Sequence, residues 1–92
     1  MEFEWDEQKN SINIVKHGID FKDALHVFED DQYITREDHG SYGEQRFQVI
    51  GIAKYDLVFM VYTERDGDTV RIISARLANK AEKKMYQAGQ FF

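Results

Sequence analysis

Two apolar segments separated by an Asp-Gly pair constrain this chain more than any other feature. Leu57–Tyr62 (LVFMVY) is apolar throughout, as expected of a central strand buried on both faces. Thr69–Arg76 (TVRIISAR) is rich in β-branched residues, and Asp66-Gly67 between the two runs is a strong hairpin signal because both residues tolerate positive φ. Upstream, Arg46–Ala53 alternates loosely. Phe47, Val49, Gly51 and Ala53 fall on one parity, with Arg46, Gln48, Ile50 and Ile52 on the other. Tyr33–Glu37 reads as a further strand, followed by a polar turn over Asp38–Gly43. A meander of three or four antiparallel strands follows from these runs.

Both ends carry different signals. Residues 2–5 (EFEW) alternate and predict a short strand. Asp6 is placed to cap a helix in which Ile12, Val15 and Ile19 continue an apolar stripe begun at Trp5, and Gly18 is placed to end it. Asp20 restarts a helix whose Phe21, Ala24, Leu25 and Phe28 follow the i, i+3, i+4, i+7 rule, closing at Glu29–Asp31. Asn79 and Glu82 have capping-box spacing and open a last helix with Ala78, Ala81, Met85 and Ala88 as its apolar side. The predicted fold class is α+β: two N-terminal helices, an antiparallel sheet of three to four strands plus a short N-terminal strand, and a C-terminal helix. One domain over residues 1–92 is expected, since no proline, linker or repeat divides the chain.

Composition narrows the chemistry. With no cysteine there is no disulfide framework and no thiolate nucleophile or zinc ligand. No apolar run approaches the ~20 residues of a membrane span, and MEFEWDEQKN lacks the basic start and apolar stretch of a secretory signal. A cytoplasmic protein without a membrane partner is expected. Asp30-Asp31, Asp38-His39 and Asp66/Asp68 lack the spacing of known metal loops, so neither a metal nor any other cofactor is expected. The net charge of −5 is unevenly spread. Residues 1–68 hold seven Lys/Arg against sixteen Asp/Glu, a balance of −9, whereas residues 69–92 hold five against one, a balance of +4. A basic end on an acidic body is compatible with a local phosphate-binding face.

Four segments together resemble the BrnT family of toxins. They are Phe3, Trp5, Asp6, Lys9 and Asn13; then Lys16, His17, Gly18, Ile19, Phe21, Ala24, Val27 and Phe28; then Gly43, Glu44, Arg46 and Gly51. The fourth comprises Tyr62–Arg65, Arg71–Arg76, Ala78, Lys80, Glu82 and Tyr86. The resemblance covers roughly residues 2–86 and rests on the order and spacing of all four. It implies a RelE-like fold and an endoribonuclease that inhibits translation without a metal. It also implies neutralisation by a BrnA-type ribbon-helix-helix antitoxin, through which alone the complex meets DNA, in a heterotetramer. A second reading, motivated by the acidic balance, is a BrnT-like module that binds its antitoxin and co-regulates the operon without cutting RNA.

Metal-free RNA cleavage runs by attack of the ribose 2′-hydroxyl on its own phosphodiester. It needs a proton acceptor, a stabiliser of the phosphorane charge and a donor to the 5′ oxygen. Arginine suits the second role because its guanidinium stays charged and forks onto two oxygens. Arg76, at the end of the last strand before the basic helix, is the first candidate, followed by Arg46 at the start of its strand. His17 is the acid–base candidate by intrinsic pKa. Lys80, Lys83 and Tyr86 on the last helix are candidate RNA contacts, together with Arg71 and Lys16. Strand alternation sets Arg71 opposite to Arg76, so one sheet face is not expected to hold both.

Overall fold

The computed structural model describes residues 1–40 and 42–92; Ser41, inside the expected polar turn, lies outside the described residues. Five strands form one sheet in the order β1-β5-β4-β3-β2, with β1 Glu2–Glu4, β2 Ile34–Asp38, β3 Arg46–Ala53, β4 Asp56–Arg65 and β5 Thr69–Leu77. β2 to β5 are the expected antiparallel meander. β1 joins it as a parallel partner of β5, pairing Phe3 with Val70. The Asp-Gly signal holds: Arg65 pairs with Thr69 around a tight loop in which Asp66 and Gly67 take φ of 52° and 81°.

Helix α1 (Glu7–His17) starts where Asp6 accepts from the N–H groups of Gln8 and Lys9. It stops where Gly18, at φ 72°, donates its N–H to Ile14 O. The second helical segment is tighter than its pattern implies. α2 covers only Phe21–Ala24, and Leu25–Glu29 winds on as a 3-10 turn. α3 (Lys80–Ala88) opens with the full capping box, Asn79 accepting from the Glu82 N–H and Glu82 from the Asn79 N–H.

The core lies between the sheet and the N-terminal helices. Phe21, Ala24 and Val27 from the helical side meet Val49, Met60, Ile72 and Ala75 from the sheet, all at 2% exposure or less. Phe28 stands edge-on to both Tyr33 and Tyr62 and closes the layer. Gly51 of β3 explains itself by packing, since a Cβ there would sit 3.1 Å from both Val27 O and Tyr33 Cβ. Gly51→Ala is expected to destabilise the fold by about 1–3 kcal/mol through forced displacement of the Val27 segment. A melting curve unchanged from the parent would contradict that packing.

Three sequence expectations need correction. The α1 stripe is inverted: Ile12 and Val15 are 62% and 89% exposed, and the buried α1 residues are Asn10 and Asn13. Those asparagines are inward because backbone groups await them. Asn10 accepts from the Phe21 N–H and donates to Asp20, while Asn13 bonds Ile19 and Ala75. On α3, Ala81 and Ala88 are exposed, and the buried residue of the helix is Glu82. Finally, β5 carries an irregularity. Val61 pairs with Ser74 but Tyr62 with Ile72, leaving Ile73 unpaired as a bulge. The extra residue resets the alternation, so Arg76, opposite Phe59, and Arg71, opposite Thr63, share one face.

Candidate active site

The sheet face turned away from the N-terminal helices carries most of the cationic candidates. Arg76 is aimed by β5 across the Phe59 ring, with its guanidinium carbon 4.3 Å from the ring centroid. Its two terminal nitrogens donate to Glu82 Oε1 and Oε2 at 2.8 and 2.9 Å. Glu82 is brought there by the capping box, so the signal that starts α3 also sets a carboxylate in the fork of Arg76. Burial pushes the Glu82 carboxyl up, but hydrogen bonds from Arg76 and the Asn79 N–H outweigh it. With the charges of Arg76 and Arg36 added, they hold the group below its ordinary 4.5.

Arg36, not singled out from the sequence, belongs to the same neighbourhood. On β2 it donates Nε–H to Gln48 Oε1 at 2.7 Å and stands 4.3 Å over the Phe91 ring, with Glu82 within reach of its charge. Strand parity places it: Arg36 faces Gln48, and Ile34 faces Ile50, which faces Phe59, which faces Arg76. The sequence held this signal, but only given the strand register.

The remaining candidates separate. Lys80 and Lys83 are exposed on α3, beside Glu82. Tyr86 is not a free stacking platform, because its hydroxyl donates to Asp30 Oδ2 at 2.6 Å. Burial first, then the Asp30 hydrogen bond and charge, push the Tyr86 hydroxyl up to about 12. Burial, with Glu64 and Tyr33 adding, does the same to Tyr62. A spectrophotometric titration is expected to show two phenols ionising near 12, and only one in Tyr86→Phe. Loss of no late phenol in that variant would contradict the Asp30 contact.

Arg46 shares the face but not the place. It begins β3 four residues before Ile50 and two strands from β5, roughly 16 Å from Arg76 by strand geometry. There it bonds Glu44 at 3.3 Å and stands 4.0 Å over the Tyr42 ring, beside an open pocket of about 420 Å³ that Arg65 and Thr63 help to line. Arg71 is occupied by Glu4 of β1 at 2.7 Å. Lys16 and His17 are across the sheet, at the end of α1, in a groove with Ile73 and Ser74. Among the described residues no group of three or more His, Asp or Glu is arranged to hold a metal, and no helix is long and apolar enough to cross a membrane.

A five-stranded sheet backed by helices on one face, with Arg76 and Arg36 near a C-terminal helix on the other, defines a small α+β protein. The chain matches the model of the ribonuclease toxin BrnT of type II toxin–antitoxin systems over residues 5–82. It belongs to that BrnT family, and an antitoxin partner is implied by the membership. The crystal structure of the ribonuclease toxin BrnT of Brucella abortus is similar, with a TM-score of 0.66 and 26% identity over 87% of this chain and 99% of that one. A comparison with curated proteins gives no match.

Proposed function

We propose that this chain is the toxin of a type II pair and cleaves RNA without a metal, gripping the scissile phosphodiester at Arg76. The observation that carries the reading is the bidentate pair with Glu82. A guanidinium whose two terminal nitrogens are held parallel by a carboxylate is preset for two phosphate oxygens in the same geometry. The Phe59 ring beneath fixes its plane. Lys80 and Lys83 extend the positive surface along α3 for the flanking phosphates, and Arg36 supplies a second guanidinium beside Glu82.

In this reading Arg76 stabilises the phosphorane charge, and Glu82, once displaced from the fork by phosphate, is the nearest carboxylate able to accept the 2′ proton. Solvent protonates the 5′ oxygen as its bond to phosphorus breaks. Arg46, with Arg71 on the same face, holds more distant nucleotides. Lys16 and His17 lie across the sheet from Arg76 and take no part in this chemistry. The cognate antitoxin is of the BrnA ribbon-helix-helix type, joins two toxin chains in a heterotetramer and alone provides the DNA contact. Inhibited translation follows from cleaved message.

The test is purified chain on a defined RNA. Cleavage that persists in EDTA and leaves 2′,3′-cyclic phosphate ends is expected. Cleavage abolished by EDTA and restored by a divalent ion would overturn the metal-free step, and RNA bound but never cut would leave only the antitoxin-binding module.

A further inference from the structure

Helix α1 is built inside out. It buries two asparagines and exposes three β-branched apolar residues, of which Ile12 at 62% and Val15 at 89% are the most exposed and Ile14 is 39% exposed. Propensity does not explain them, since isoleucine and valine are poorer helix formers than alanine, leucine or lysine. Burial in the free chain does not explain them either. Exposed apolar residues grouped on one helix face are more informative than a lone one. At ~3.6 residues per turn, Lys9 and Lys16 fall between this strip and the sheet, with Ile12 next and Val15 outermost.

The neighbouring edge of the sheet is open. β1 ends at Glu4 and pairs only with Thr69–Arg71, so beyond Arg71 no described strand lies on that side of β5. Asn13 reaches it once, at Ala75, where the amide donates to the carbonyl and accepts from the N–H. Between α1 and β5 runs an open groove of about 200 Å³ lined by Lys9, Ile12, Lys16, His17, Ile73 and Ser74. Its apolar side chains are rimmed by two lysines and a histidine, with no carboxylate among its lining residues, on a chain of net charge −5.

We propose that this groove docks the antitoxin, through a segment that lays apolar side chains on Ile12, Val15 and Ile73 and sets carboxylates against Lys9 and Lys16. The inference rests on the toxin reading above and adds the place and chemistry of the partner's contact. Charge selects this occupant over a second copy of the chain. A twofold dimer through the patch would set lysines against lysines, whereas an acidic segment is drawn in and held. The groove runs along the open edge of β5 at Ile73 and Ser74, and its lining does not include Arg76, Glu82 or Phe59, so docking and cleavage are separable by mutation.

The experiment uses the full chain and, as probe, the product of the adjoining reading frame, with affinity measured by titration calorimetry and RNA cleavage assayed in parallel. Ile12→Asp with Val15→Asp is expected to weaken binding on the order of 100-fold while the melting temperature and RNA cleavage stay at parental values. Lys9→Glu is expected to slow association about tenfold at low salt, with the difference fading at high salt. Tyr55→Asp, at an exposed residue of the β3–β4 turn, leaves both unchanged. Parental affinity in the double variant, or a chain that dimerises through Ile12 and Val15 while still binding the probe normally, overturns the inference and leaves the toxin reading intact. Failure of the intact chain to bind the probe at all rejects both.

Discussion

Asn13→Ala is expected to lower folding stability by about 2–4 kcal/mol, a fall of roughly 10 °C or more in melting temperature for a domain of this size. The reason is a single buried amide that satisfies three backbone groups. Its nitrogen donates to Ile19 O at 2.9 Å and Ala75 O at 2.8 Å, and its oxygen accepts from the Ala75 N–H at 3.2 Å. Alanine leaves all three without partners inside the fold, which costs more than an ordinary hydrogen bond contributes. Asn13 acts as a one-residue extension of the sheet, tying α1 to β5 where β1 has ended. Ile12→Ala, one residue away but exposed, is expected to change stability by under ~0.5 kcal/mol. Equal melting of the two variants would contradict this role for the asparagine.

Arg76→Ala is expected to reduce RNA cleavage on the order of 10²–10³-fold, the usual effect of removing one preorganised charge stabiliser. It also leaves the Glu82 carboxylate, 7% exposed, with only the Asn79 N–H. A further loss of about 1–3 kcal/mol in stability is expected, moderated because the Arg76 side chain is 36% exposed. Arg76→Ala with Glu82→Gln is expected to recover part of the stability but none of the activity. The pH dependence follows from the same pair. The folded Glu82 carboxyl is held below its ordinary 4.5, so its contribution is complete above that value and is lost as pH falls through the depressed one. Acid unfolding of Glu82→Gln should accordingly begin from a less stable plateau and run a shallower course below pH 4.5. Parallel acid profiles for parent and variant would contradict the ion pair.

Much of this fold is legible in the sequence because local rules and packing agree. The Asp66-Gly67 hairpin, the Asp6 and Asn79 caps and the Gly18 stop all stand where residue chemistry puts them. The failures have specific causes. Apolar spacing on α1 misleads because its inward positions are set by hydrogen-bond demand from Ile19, Phe21 and Ala75, not by hydrophobicity. The face of Arg71 was hidden by a single unpaired residue, Ile73, which no alternation rule reveals. Spacing along the chain also carries no information about distance across a sheet. Arg46 and Arg76 both read as basic residues at strand ends, yet register sets them four residues apart along the strands and two strands across. The Glu82 partner of Arg76 was visible only as a helix cap, and Arg36 not at all until β2 had a neighbour.

Arg76→Lys puts the grip itself to the test, since lysine keeps the positive charge and loses the planar fork. In a single-turnover cleavage assay with protein in excess of both RNA and Kd, a rate at least tenfold below the parent's is predicted, with substrate affinity altered far less. A lysine variant that cuts at the parental rate would show that no two-pronged hold on phosphate operates at that residue.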